Sequence, residues 1–151
     1  MNISKRLEEL EIELPPCPKP RAAYVSAVLS EEFIFVSGQT PKRGDKLIYK
    51  GKIGRDLSVQ EGYEAAKICA LNCLGAIKEL AGDLDNIEKI VQVTGYVNCI
   101  EEFENHSKVL DGVSELLVEI FGSKGKHARV AVGVSSLSGN APVEIEMIVR
   151  V

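Results

Sequence analysis

Tryptophan is absent, aromatic residues make up only 5% of the 151 positions, and there are two histidines and four cysteines. No stretch approaches the ~18 consecutive apolar residues of a membrane-spanning helix, so no membrane partner is expected. There is no C-x-x-C pair, and neither His106 nor His127 accompanies a pair of cysteines. The usual zinc-ligand spacings are therefore missing, and no metal is expected. Neither residues 37–39 nor residues 51–54 fit the G-x-x-x-x-G-K-[ST] phosphate loop, so no nucleotide cofactor is implied. Internal repeats and low-complexity tracts are absent as well. The opening residues run from Lys5 and Arg6 straight into Glu8 and Glu9, without the apolar core and small-residue cleavage site of a secretory signal, which makes the cytoplasm the expected location.

Positive charge is also in short supply. Eighteen Lys and Arg against 22 Asp and Glu leave a net charge of −4 and a pI near 5.3, a balance that disfavours a broad electrostatic grip on nucleic acid. One basic stretch, residues 42–55, holds Lys42, Arg43, Lys46, Lys50, Lys52 and Arg55 with Asp45 opposing them. Tyr49 is its sole aromatic, so it offers no series of stacking platforms and reads as a solvated surface. Nucleic acid is thus an unfavoured partner.

What is present is the makings of one core: 45% hydrophobic and 26% charged residues over a length suited to a single domain, residues 1–151. Residues 1–23 form an N-terminal arm, extended at residues 14–20 because four prolines restrict themselves and their predecessors. Residues 24–29 and 33–37 read as a hairpin, and residues 46–50 as a third strand. Ser58 and Glu61 form a capping box that opens a helix stopped by Gly82. Within it Cys69 and Cys73 sit one turn apart among alanines, the setting of reduced, buried thiols. Residues 90–97 follow as a strand. Residues 101–121 form a second helix with a stripe of Phe103, His106, Leu110, Val113, Leu117 and Ile120, in which His106 is a packed residue. Two strands, 127–137 and 143–151, close the chain. The order β-β-β-α-β-α-β-β predicts an α+β domain with both helices on one face of a single sheet.

The last two strands carry the chemistry. Alternation in residues 127–134 puts Ala128, Val130, Val132 and Val134 on the core face and His127, Arg129, Ala131 and Gly133 on the other. A guanidinium beside two small residues is a ready receptor for a carboxylate, whose geometry its fork matches; the competing reading is a surface ion pair. In residues 143–151 the alternation leaves Glu144, Glu146, Ile148 and Arg150 opposite the core. Glu144 or Glu146, if partly desolvated, would be a general acid or base. If Ser138 and Ala141 close a tight turn, Arg129 faces Arg150 and Glu144 lies roughly 20 Å along the strand. Arg129 and Glu144 would then share a pocket only through a looser register or a neighbouring subunit.

These residues resemble a known family. The run Phe35-Val36-Ser37-Gly38-Gln39, the Ala-rich helix after Gly54, the strand with Arg129, and Pro142-Val143-Glu144-Ile145-Glu146 look like the Rid (YjgF) family of reactive-intermediate deaminases, over residues 24–151. The resemblance implies a chorismate-mutase-like fold with a mixed sheet, and a homotrimer with sites between subunits. It also implies cofactor-independent hydrolysis of imines and enamines, such as 2-aminoacrylate or 2-iminobutyrate, to 2-keto acids and ammonia. By position, Arg129 would hold the substrate carboxylate, Glu144 would position or activate water, Gly38 and Ala131 would give backbone contacts, and Tyr24 would enter from the neighbouring chain. Ala131 departs from the cysteine common in the deaminase branch, and Asp111 aligns where that branch has asparagine. A carboxylate there, if it faces the cleft, weakens carboxylate binding. The extended arm marks a longer-chain side branch. A non-catalytic trimeric sensor of small carboxylates is the alternative of a different class, and an endoribonuclease is a third.

Overall fold

The computed structural model describes residues 2–151. In chain order the elements are α1 (Ile3–Glu9), β1 (Ala27–Ser30), β2 (Phe33–Gln39), β3 (Lys42–Arg43), β4 (Lys46–Leu47), α2 (Val59–Ala81), β5 (Lys89–Asn98), α3 (His106–Phe121), β6 (Ala128–Val134) and β7 (Val143–Arg150). One five-stranded sheet runs β1-β2-β7-β5-β6, and β3 and β4 form a separate two-stranded ribbon. The sheet is mixed, since β5 and β6 are parallel while the other pairs are antiparallel. The α+β class and the placing of α2 and α3 on one face agree with the expectation. The third strand does not join the sheet: its pairing ends after Leu47, in the ribbon with β3. The arm is also more than an extended segment, because Asn2 caps α1 by accepting from the Lys5 amide, and Ile3 and Leu7 are buried.

Helix α2 begins where the capping box puts it. The Ser58 hydroxyl accepts from the Glu61 amide at 3.1 Å, the Glu61 carboxylate accepts from the Ser58 amide at 3.1 Å, and Gly82 closes the helix. Its buried face is made of small residues, with Gly62, Ala65, Ala66, Cys69, Ala70 and Cys73 all buried. This lets its axis lie close to the sheet and to α3. The Cys69 and Cys73 thiols each point at a β7 carbonyl, Val143 and Ile145, at 3.6 Å, and all four cysteines are free. Helix α3 starts at His106, five residues later than predicted, and buries Val109, Leu110, Val113, Leu116, Leu117 and Ile120.

Two further expectations are overturned by the strand order. Ser138 and Ala141 do close a tight turn, the Ala141 amide donating to the Ser138 carbonyl at 3.2 Å, but β6 and β7 form no hairpin because β5 lies between them, so Arg129 pairs with Val93 and does not face Arg150. The faces of β6 are also the reverse of those predicted. Arg129, Ala131 and Gly133 register with Val93, Gly95 and Val97 and so lie on the helix-covered side, while Val130 and Val132 stand on the open side, 45% and 39% exposed. The small residues are small because a helix packs on them: a Cβ at Gly133 would stand 2.6 Å from His106 Nε2 and 3.0 Å from Cys99 Sγ.

The α2–α3 contact is close enough for a single methyl to matter. A Cβ at Gly112 would overlap the Tyr63 carbonyl oxygen of α2. Alanine is favoured over glycine inside a helix by about 1 kcal/mol, whereas overpacking a tight contact costs about 1–3 kcal/mol. Because the obstacle is backbone, the cost falls at the top of that range, and Gly112→Ala is expected to lower stability by about 2 kcal/mol net. The measurement is the urea midpoint at matched protein concentration; a midpoint equal to or above wild type would show that the helices separate without cost.

Candidate functional site

Strand β7 runs through the sheet with Val143, Ile145, Met147 and Val149 buried beneath the helices and Glu144 and Glu146 on the open face. Across β5, Glu144 stands beside Tyr96 and Glu146 beside Thr94. The Tyr96 hydroxyl donates to Glu146 at 2.8 Å. Glu144 has no such partner and lies over Gly38, where a Cβ would stand 2.6 Å from its Oε1. The β2–β7 register breaks between Val36 and Gln39, so the chain at Gly38 leaves the ladder beside this carboxyl. Burial, and then the neighbouring Glu146, hold the Glu144 carboxyl above its ordinary pKa.

Glu144, Gly38 and Tyr24 of one chain line the same cavity of about 500 Å³. Its remaining walls include Gln39, Asn72 and Ser138, and the proline-rich segment closes one side. Asn72 is buried and committed, its amide donating to the carbonyls of Thr40 and Lys42 at 3.1 and 2.9 Å. Tyr24 is 58% exposed at the mouth of this cavity.

Arg129 is elsewhere. On the other face of the sheet, its Nη1 donates to Asp111 Oδ1 at 2.9 Å and to Ser114 Oγ at 3.0 Å, and its Nη2 donates to Ser107 Oγ at 2.7 Å. Ser107, Asp111 and Ser114 share one face of α3, so this network ties the helix to the edge strand. His127 extends it: Nδ1 lies 2.6 Å from the Gly125 carbonyl, so that nitrogen carries the proton, and Nε2 accepts from Ser114 at 2.9 Å. Burial lowers the His127 pKa and keeps the ring neutral. Asp111 thus neutralises the guanidinium within the chain, and Ala131 is packed against the core. The structure therefore brings together Glu144, Gly38 and Tyr24, and separately Arg129, Asp111 and Ala131.

A second cavity, of about 610 Å³, escaped the sequence reading; Lys52, Cys99, His106 and Gly133 line it. The Lys52 ammonium is taken up by Asn98 Oδ1 at 2.8 Å, Ser135 O at 2.6 Å and Cys99 O at 3.4 Å. The Cys99 thiol touches His106 Nε2 at 3.6 Å and is held protonated by burial, against the nearby Lys52 charge. The bridge between Ile53 and Cys99 and the packing of His106 over Gly133 join these positions, so no local spacing pointed to them. Among the described residues no group of three or more His, Cys, Asp or Glu side chains is arranged to hold a metal ion, and no helix is long and apolar enough to cross a membrane.

Residues 4–145 match a family model described as YjgF/chorismate mutase-like, putative endoribonuclease. The chain belongs to the YjgF (Rid) family. Protein TCP17 of Trypanosoma cruzi is 38% identical over 149 residues, 98% of this chain and 93% of that protein. A RutC family protein of Aquifex aeolicus is 34% identical over 142 residues, covering 91% and 96% of the two chains. Among solved structures, protein Atu1372 of Agrobacterium tumefaciens, described as having unknown function, superposes with a TM-score of 0.91 at 39% identity, covering 99% of this chain and 92% of that one. A putative endoribonuclease of Shewanella oneidensis gives 0.95 at 30% identity over 100% of both chains. These two YjgF-like structures cover the N-terminal arm as well as the domain.

The raised Glu144 pKa has a sign that can be measured. A carboxyl whose folded pKa exceeds its unfolded one costs no stability when both states are protonated, and its penalty grows as pH rises from the unfolded through the folded value. Glu144→Gln is therefore expected to melt above wild type at neutral pH, with the advantage vanishing as pH falls below the ordinary carboxylate range. Thermal melts across that range check it; a variant less stable at neutral pH would show that the ionised carboxylate is well solvated.

Proposed function

We propose that this YjgF-family protein hydrolyses 2-imino and 2-enamino acids to 2-keto acids and ammonia without a cofactor, at the Glu144 cavity. One observation carries this: a half-buried carboxyl, held above its ordinary pKa, stands unpaired in a cavity beside a glycine backbone. A carboxyl shifted in this direction is a better proton acceptor than an ordinary one, which suits it to take and return a proton. An enamine first takes a proton on carbon, or an imine one on nitrogen, to become the iminium, and that proton is returned when the hydroxyl proton is lost at the end. Water adds to the imine carbon while Glu144 accepts its proton. The proton then passes to the amino nitrogen of the carbinolamine, the C–N bond breaks with its electrons going to nitrogen, and ammonia leaves as the hydroxyl proton is lost and the C=O bond forms. Imino acid and water in balance keto acid and ammonia out. Gly38 supplies backbone contact, and Tyr24 closes the mouth.

The open face of the sheet calls for a cover. Val28 and Phe35 on β1 and β2, and Val130 and Val132 on the far edge strand β6, stand on it at 50%, 46%, 45% and 39% exposure, two apolar margins that flank Glu144 and Glu146 on β7. Exposed apolar surface of this kind marks association. We place two further copies of the chain there, in a homotrimer, with Arg129 and its Asp111 clasp holding the edge strand at which copies meet. The endoribonuclease description belongs to the relatives; here the basic ribbon at Lys42, Arg43 and Lys46 has no stacking aromatics in series to support it.

Purified protein is expected to speed keto-acid release from 2-aminoacrylate or 2-iminobutyrate generated in situ, and to elute with the mass of three chains rather than 16.4 kDa. Glu144→Gln should cut turnover by about 10²–10⁴-fold while keeping the shape of the site. Binding of 2-oxobutyrate with no hydrolysis by wild type would replace the enzyme with a sensor.

A further inference from the structure

The network that ties α3 to the edge strand β6 leaves two atoms unused. Arg129 donates from Nη1 to Asp111 and Ser114 and from Nη2 to Ser107, while its Nε donates to none of the described residues. Asp111 accepts through Oδ1, and its Oδ2 takes no hydrogen bond among the described residues. No buried side-chain nitrogen or oxygen of the described residues lacks a partner, so both unused atoms are open to solvent. The pair is also unlike the other ion pairs. The Arg129 side chain is 21% exposed, whereas every other ion-paired side chain among the described residues is 38% exposed or more. Partial burial strengthens its electrostatics, and the two serines hold the guanidinium in place, so little ordering is left to be done on binding.

As a unit, Arg129 and Asp111 carry no net charge and offer one free donor and one free acceptor. A simple carboxylate that comes to Arg129 sets two anions against one cation, which costs binding where solvent is partly excluded. A zwitterion avoids this cost. Its carboxylate accepts from Nε while its cationic N–H donates to Oδ2, so that opposite charges alternate. Substrate and product of the reaction above differ in this respect. Protonated on nitrogen, a 2-imino acid is a zwitterion, with an iminium N–H on the carbon next to the carboxylate. The 2-keto acid has a carbonyl oxygen in that place, gives Asp111 no donor and leaves an anion beside an anion.

We propose that Asp111 is a specificity-determining residue: paired with Arg129, it selects the zwitterionic iminium form of the substrate and turns away the keto-acid product. The inference rests on the hydrolase reading above and names the charge form of its substrate. In the homotrimer proposed there, the edge strand of one copy carries this pair to the Glu144 cavity of the next. Asp111 takes no proton in the reaction. It holds the N–H of the iminium while water adds, and once the C–N bond has broken and ammonia has left, the keto acid has no donor to keep it there. Discrimination comes from the repulsive contact with the product as much as from the attractive one with the substrate.

The test is titration calorimetry on the full chain with 2-aminobutyrate, a zwitterion, and with butyrate and 2-oxobutyrate, anions of the same length. Wild type is expected to bind 2-aminobutyrate about tenfold or more tighter than either anion. Asp111→Asn, which keeps the shape and removes the charge, should loosen 2-aminobutyrate by about tenfold and tighten 2-oxobutyrate. In turnover of 2-iminobutyrate made in situ, the same variant should be inhibited by 2-oxobutyrate at about tenfold lower concentration than wild type. A residue that only clasps helix to strand would move both affinities the same way. Wild type binding 2-oxobutyrate as tightly as 2-aminobutyrate overturns the inference, and this comparison needs no variant to fold. Asp111→Asn shifting both affinities in one direction overturns it as well. Either result, with hydrolysis intact, leaves the hydrolase reading standing. A wild type that prefers 2-aminobutyrate and hydrolyses no imine overturns the hydrolase reading and supports the zwitterion site.

Discussion

The antiparallel pairing of β7 with β5 is the contact on which the rest of the molecule depends. It places β7 between β2 and β5, so that Val143, Ile145, Met147 and Val149 fill the space under α2 and α3 while Glu144 and Glu146 are held on the other face. A one-residue slip would exchange the two sets, burying both carboxyls under the helices and exposing four core residues. The same pairing pushes β6 out to the edge, one strand away from β7, which decides where Arg129 can be. The register of the centre thus sets the address of every candidate group.

Two faces give two electrostatic settings. On the helix side Arg129 has found its counter-charge in Asp111 and its remaining acceptors in serines of the same helix, so it behaves as a clasp between α3 and the sheet. On the open side Glu144 has a glycine backbone and another carboxyl for neighbours, and burial costs it the solvation that would keep it an ordinary acid. The cation is thus paired within its own face, and the partly desolvated carboxyl stands on the other. The proline-rich segment bounds this second setting, lining the cavity together with Gln39 and Ser138.

The helices were legible because their signals are local. Ser58 and Glu61 satisfy orphan amides within one turn, Gly82 and Gly122 close the two long helices, and the small residues of α2 repeat at helical spacing. The start of α3 was read too early because residues 101–105 continue the apolar stripe with Phe103, which packs edge-on to His106 from outside the helix. Glu144 facing away from the core was legible for the same kind of reason: β7 alternates cleanly, with four buried aliphatics to fix the parity. In β6 the parity rule failed. Valines there face a surface left open by one chain, and the small residues face a helix, so hydrophobicity pointed to the wrong side.

Taken alone, the amino-acid sequence determined the α+β class, the ends of α2, the reduced cysteines in its buried face, and the outward direction of Glu144. All of these follow from interactions between residues close in the chain or from strict alternation. The tertiary structure decided the strand order, the helix-side position of Arg129 and its neutralisation by Asp111, and the cavity that joins Tyr24, Gly38, Glu144 and the proline-rich segment. These depend on which strand inserts beside which, and on how closely a helix approaches a glycine. Such contacts join residues as far apart as Pro15 and Gly75, or Gly38 and Glu144, whose meeting no local pattern encodes.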